Sequence, residues 1–381
     1  MTLPPPPPGS VPPPNGFQPP HGGPSGYPGQ GFPSQSWQQT PLQPRPPKRG
    51  NGWKWALGAV ALVAVIAVTA AVTVSVVDNG DEGGSTAASA SPSTAAPANS
   101  DIASANDTGP VAVILEDPSC ATQSPVISAY AHRTKNGWEK RDPAVAATEW
   151  TPDVRAQHEA AGQAFRDAAD QLIVSAKLTP HRVMRELYEQ FIAYGRAYAD
   201  SVPTYTPVDN NLAVAAIHAA DAIDRICAAI GYGSAGARGP MVPTPPTPSD
   251  VAPVREPSDA QKLLSEPNPV CPEWISAKES FGTNSASWAQ ISPDIPAVEW
   301  SPEQRKINDD VVPVMNLFNT QLSALGRQSE NPTLRDFADL AVQYRQAYLE
   351  ALPTYTRADD HLAPTSIRIA ALVESACRAL G

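Results

Sequence analysis

A chain that repeats itself cannot choose its fold freely, because whatever the first copy adopts the second must adopt too. Val202–Thr206 reads V-P-T-Y-T and Leu352–Thr356 reads L-P-T-Y-T, 150 positions later. The same subtraction aligns Trp138 with Trp288, Pro143 with Pro293, and E-W-T-P (Glu149–Pro152) with E-W-S-P (Glu299–Pro302). It also aligns Arg155 with Arg305, Tyr194 and Tyr198 with Tyr344 and Tyr348, Asp209 with Asp359, Leu212 with Leu362, and Cys227 with Cys377. Cys120 and Cys271 differ by 151, so one residue is inserted near the start. Chance does not place that many matches at one offset.

Within each copy the apolar residues recur at alternating steps of three and four, the period of an amphipathic helix. Thr151-Pro152 and Ser301-Pro302 supply an N-cap hydroxyl followed by proline at the first helical position. Phe165, Ala168 and Leu172 follow in one copy; Val311, Met315, Phe318, Leu322 and Leu325 follow in the other. A next helix is expected from Thr179-Pro180 or Asn331-Pro332, and a last one through Leu212–Ile230 or Leu362–Leu380. A shorter helix after the first cysteine completes a four-helix, up-and-down unit, written twice. V/L-P-T-Y-T is then the connection between third and fourth helices, where proline stops one and Thr or Asp caps the next. Pro313 falls inside a helix in the second copy alone, and a kink is expected there.

Two of the four cysteines fall in each copy, at the head of the first helix and near the end of the last. In an up-and-down bundle those points share one end, so the repeat selects Cys120–Cys227 and Cys271–Cys377 from three connectivities. In the chain-entropy model each loop of this length is worth at most about 4–5 kcal/mol. A metal site fits poorly: there is no C-x-x-C, and no histidine is matched between copies.

Ahead of the repeats the character of the chain changes. Residues 1–47 hold 17 of the 44 prolines and hardly an aliphatic side chain, a composition expected to stay disordered with polyproline II character. Trp55–Val77 follows, 23 residues without a charge. As a helix it spans roughly 34 Å, enough for a hydrocarbon core of about 30 Å. Trp53 and Trp55 sit at its start, Arg45, Lys48, Arg49 and Lys54 precede it, and Asp78, Asp81 and Glu82 follow it. The positive-inside rule puts the N-terminus in the cytoplasm and everything past residue 78 outside, where disulfides form. A cleaved signal peptide is the rival reading, with A-S-A at Ala88–Ala90 as its site; the long apolar run and the long leader before it favour an anchor. Residues 78–381 carry 23 basic against 38 acidic side chains, which argues against a nucleic-acid partner.

The expected organisation is all-α. It comprises a disordered Pro-rich cytoplasmic segment (1–52), a transmembrane helix (53–77), a flexible linker (78–112), helical repeat 1 (113–231), a Pro-rich linker (232–268) and helical repeat 2 (269–381). Localisation at the plasma membrane follows. So does a protein partner for the proline-rich arm through P-P-P-P-P at Pro4–Pro8, P-P-P at Pro12–Pro14 and P-R-P-P-K-R at Pro44–Arg49.

Chemistry is harder to find. The six histidines, His21, His132, His158, His181, His218 and His361, share no position between copies, and surface or cap roles suit most of them. No catalytic constellation, cofactor or metal ligand set is expected. Glu149 and Glu299 read as acids near a helix start, with the neighbouring indole packed against it, in preference to binding carboxylates. Tyr194/Tyr198 and Tyr344/Tyr348, four apart on the apolar seam, read as core residues with hydroxyls at the core's edge. Joined by Tyr205 and Tyr355, they are also the candidate walls of a groove for a lipid, glycan or peptide. L-P-T-Y-T is not a sortase signal, since glycine and a hydrophobic tail are both missing.

A Pro/Gly/Gln-rich head, an Ala/Val-rich span, a Thr/Ser/Ala/Pro-rich stalk and a disulfide-bearing outer domain together resemble the proline-rich single-pass envelope membrane proteins of mycobacteria and related actinobacteria. The resemblance is one of architecture and implies no functional residue; it implies O-linked sugar on stalk residues such as Thr244 and Thr247. The expected function is that of a non-catalytic cell-envelope protein with a duplicated helical binding or scaffolding module. A carrier or sensor of a small apolar ligand is the alternative, and haem, held by Tyr with His, its weakest form.

Overall fold

The computed structural model describes residues 101–381, and the expectations for the proline-rich arm and the transmembrane segment lie outside them. Nine α-helices are present among the described residues, with no strand. They are α1 (Ser119–Arg133), α2 (Pro152–Leu178), α3 (Arg182–Ser201), α4 (Asn210–Gly231), α5 (Ser234–Arg238), α6 (Cys271–Asn284), α7 (Pro302–Gln328), α8 (Pro332–Ala351) and α9 (Leu362–Arg378). Helices α1–α4 form one bundle and α6–α9 the other. In each, the first helix packs on the second, the second on the third, the third on the fourth and the fourth back on the first.

The local chemistry behaves as the repeat requires. Thr151 Oγ1 accepts from the Val154 N–H at 3.3 Å, and Ser301 and Gln304 form a reciprocal capping box. Both V/L-P-T segments are single 3-10 turns, after which the Asp209 and Asp359 carboxylates accept from the N–H of Thr206 and Thr356 at 2.7 and 2.9 Å. Cys120–Cys227 and Cys271–Cys377 are disulfides, with Cα atoms 5.4 and 5.5 Å apart. Helix α7 runs on through Pro313 without a break.

Three expectations need correction. The third helix of the first copy starts at Arg182, matching Pro332, and not at Thr179-Pro180. Thr179 instead donates to Asp117 Oδ2 at 2.5 Å, so the proline marks the approach to the helix rather than its first turn. The stretch 101–112 is not a loose tether: Ile102 and Val111 are buried, and the Arg182 N–H and guanidinium hold the Asp107 carboxylate and carbonyl at 2.7 Å each. Nor is 232–268 a free linker. It contains α5 and buries Val242, Leu263 and Leu264. Extended proline-rich backbone has no internal partners for its carbonyls. Here side chains of the third helices supply them: Gln190 bonds Gln261 O, Arg196 bonds Ser258 O, Arg335 bonds Asp250 O, and Gln343 bonds Pro243 O.

The copies are not beads on a string. The described helices lie within one unit of the chain, Pro92–Gly381, and one contiguous apolar cluster runs through both bundles. Helix α4 packs along α9, and α3 meets α8. Equivalent helices meeting each other is the pattern of an isologous two-fold contact, here within one chain. Composition makes it feasible. Besides the Ile223/Ile226 face that fills its own bundle, α4 carries Ala215, Ala222 and Ala229, all fully buried, and α9 carries Ala363, Ala370 and Ala371. Small side chains let helix axes approach closely.

Candidate functional site

The tyrosines go to the interior. None of Tyr194, Tyr198, Tyr205, Tyr344, Tyr348 and Tyr355 is more than 5% exposed. In the first copy the Trp138 indole N–H donates to the Tyr198 hydroxyl at 2.5 Å; in the second Trp288 donates to Tyr348 at 2.8 Å. Tyr205 and Tyr355 donate to the carbonyls of Pro143 and Pro293 at 3.0 and 2.9 Å. Their own carbonyls accept from the N–H of Ala147 and Ala297, each at 2.9 Å. Arg155 and Arg305 close the same loop on the carbonyls of Ala147 and Ala297 at 2.7 and 2.8 Å. Four matched pairs of side chains are thus members of one clasp, built twice, that ties the loop before the long second helix to the V/L-P-T-Y-T turn. Burial pushes the phenols up, Tyr205 to about 12.

Tyr194 and Tyr344 lie beside the backbone of Leu264 and Ile114, without a well-formed hydrogen bond. Leu264 belongs to the segment leading into the second copy and Ile114 to the one leading into the first. Each leader therefore seals the other copy's tyrosine. Glu149 and Glu299 stay exposed at the turn before the long helices.

His158 departs from the expected surface role. It stacks on Trp150 at 3.9 Å and places Nδ1 2.8 Å from the Tyr198 hydroxyl. Burial first, and Arg141 second, pull it down to about 4, so it is neutral at physiological pH. Its counterpart Asn308 bonds only its own helix, at Gln304 O.

The titratable cluster that sequence reading missed lies where α3 meets α8. Arg182 Nε donates to Asp336 Oδ2 at 2.6 Å, both side chains at most 2% exposed. Subtracting 150 from Asp336 gives Glu186, whereas the position matching Arg182 is Pro332. One copy's carboxylate therefore has its cation and the other's does not. Glu186 is 1% exposed and neither oxygen has a hydrogen-bond partner. Burial, and then the Asp336 charge, raise it well above the ordinary carboxylate range. One turn on, Glu189 rises to about 7 and its counterpart Asp339 to about 6, again chiefly through burial. Arg185 reaches Glu189 at 3.6 Å, while its counterpart Arg335 turns outward to Asp250 at 2.9 Å. The signal was in the sequence: R-E-L-Y-E at Arg185–Glu189 and R-D-F-A-D at Arg335–Asp339 match at the common offset. This arrangement fastens the two bundles and strengthens the hold of its carboxyls on their protons. Among the described residues no group of three or more His, Cys, Asp and Glu is placed to hold a metal ion. Nor is any described helix long and apolar enough to cross a membrane.

Comparison with known proteins places these features. A family model described as mycobacterial ESX-1 associated protein matches residues 102–381. An uncharacterized protein of Mycolicibacterium smegmatis (strain MKD8) is 50% identical over 361 residues, covering 95% of this chain and 94% of the relative. No solved structure matches.

Proposed function

Because the chain belongs to the mycobacterial ESX-1 associated protein family, we propose that it is a non-catalytic, single-pass membrane protein whose interlocked double bundle is a binding and scaffolding module for protein components of that secretion system. The observation that carries this reading is the fate of the shared side chains. Trp138/Trp288, Tyr198/Tyr348, Tyr205/Tyr355 and Arg155/Arg305 are all engaged in holding loops to helices. What the chain keeps in both copies at these positions is a clasp that serves the architecture. The anchor at 53–77 fixes the module at the outer face of the plasma membrane, and the proline-rich arm docks a cytoplasmic partner.

The test is in-cell crosslinking of the full chain in a mycobacterium, followed by affinity capture and identification of the crosslinked peptides. Components of the secretion apparatus crosslinked to residues 101–381 are expected. Turnover of a substrate that disappears when one polar cluster is mutated would overturn the reading, as would crosslinks confined to lipid.

A further inference from the structure

The two copies serve as controls for each other, and they part company most sharply at the edge between the first and second helices. In the first copy Arg133 of α1 pairs with Asp167 of α2 at 2.6 Å, with Gln163 also on Asp167. The matching positions in the second copy are Asn284, Leu317 and Pro313. No ion pair forms between them, Leu317 is 59% exposed, and a cleft of about 320 Å³ lies there. Phe281, Phe318, Val314 and Pro313 are among its walls.

Behind the two phenylalanines the core changes character as well. Where the first copy has Gly195 and Ala169, the second has Arg345 and Asn319. Arg345 is 1% exposed, and its guanidinium lies 4.3 Å from the Phe318 ring centroid and 5.2 Å from that of Phe281. Its Nη1 donates to Asn319 Oδ1 at 2.8 Å, which turns the amide nitrogen of Asn319 away. Arg345 Nη2 and Asn319 Nδ2 are then two buried donors with no acceptor, and no carboxylate among the described residues pairs with the cation. Burial brings the guanidinium down to about 9, so it remains charged at neutral pH. The fold does not require this cation, since the first copy closes the same site by setting Phe165 against Gly195, with 3.1 Å to the nearest ring carbon from a Cβ built there.

We propose that the second bundle binds an aliphatic carboxylate, with its acid group on the orphan donors of Arg345 and Asn319 and its chain in the cleft between α6 and α7. A buried cation without a counter-ion calls for an anion, and two orphan N–H donors call for an acceptor oxygen. The cleft walls call for hydrocarbon, and the volume sits at the small end of ligand sites, at roughly 300 Å³. Phe281 and Phe318, stacked at 4.6 Å, line the cleft and carry the guanidinium over their rings, so the proposal requires them to part as the acid group enters. The proposal is independent of the scaffolding role, because it concerns one copy only.

The experiment uses the full chain in lipid nanodiscs, photolysed with octanoic acid bearing a terminal diazirine and analysed by peptide mapping. Labelling is expected to concentrate on α6 and α7, with excess octanoate suppressing it about tenfold more effectively than octanol, the difference made by one charge-assisted hydrogen bond. Arg345→Met is expected to erase that difference. Asn284→Arg with Leu317→Asp, two exposed positions, restores the first copy's ion pair over the mouth and is expected to abolish labelling with the core untouched. Labelling spread evenly along the chain would overturn the proposal. So would labelling indifferent to the acid group or to the double substitution, which would leave Arg345 as a core cation alone.

Discussion

The two bundles share a clasp and differ in where they keep charge. The first places Arg182 on the seam and closes its outer edge with Arg133–Asp167; the second has Pro332 on the seam, opens the edge, and buries Arg345 in its core instead. The difference teaches that positions held in common maintain the bundle, while positions that diverged set how the copies meet and what each presents outward. Duplication by itself would give a symmetric seam with two carboxylates facing each other. One arginine breaks that symmetry and leaves Glu186 as the uncompensated member.

The largest effect is expected at that arginine. Arg182→Met strips Asp336 of its buried partner, and breaking a buried pair on one side costs about 3–5 kcal/mol. Chemical denaturation of the full chain checks it, and a loss under about 1 kcal/mol would mean that the pair merely fills space. Glu186→Gln acts in the opposite direction. A carboxyl raised above its unfolded-state value contributes fully below about pH 4.5, and the contribution is lost as pH rises toward the folded value. Unfolding therefore releases protons, and stability declines from about pH 4.5 through 7, the window spanned by Asp339 and Glu189. The glutamine variant is expected to gain about 1–3 kcal/mol at pH 7 and nothing near pH 4. A gain that does not vary with pH would break the assignment.

Much of this molecule is legible in its sequence, and the parts that are not share a cause. Helix starts at Thr151 and Ser301, the turn at Val202–Thr206 and both disulfides follow from local chemistry and from the offset of 150. What could not be read locally is how one copy seats on the other. Ala215, Ala222 and Ala229 form a second buried face on α4, but alanine is equally at home exposed on a helix, so its periodicity carries no direction. Composition marks 232–268 as a linker and cannot say that Gln190 and Gln343 wait for its carbonyls. Nothing in the local sequence sets Glu186 and Asp336 apart from other helical acids, and the seam buries them.

The clasp offers a finer test of likeness. Tyr198→Phe and Tyr348→Phe each remove a hydroxyl from an indole N–H, but in the first copy His158 Nδ1 loses its partner as well. Leaving buried groups unsatisfied costs about 1–3 kcal/mol, so Tyr198→Phe is expected to destabilise by roughly 1 kcal/mol more than Tyr348→Phe. Equal losses in parallel denaturant titrations would show that His158 contributes through stacking on Trp150 alone.

The smallest effect is expected at the outer edge, and its smallness is the point. Arg133 and Asp167 are each more than a third exposed, so their attraction is screened by water and by salt. Asp167→Ala is expected to cost no more than about 1 kcal/mol at low ionic strength and nothing measurable in high salt. Leu317→Ala, at the matching position, removes a side chain that is already mostly in water and is expected to leave stability unchanged within about 0.5 kcal/mol. Two near-neutral substitutions would place that edge outside the machinery of folding. A leucine held 59% exposed at no benefit to stability then leaves the cleft beside it open without cost to the fold. A loss of several kcal/mol on Leu317→Ala would return the residue to the core and remove that argument.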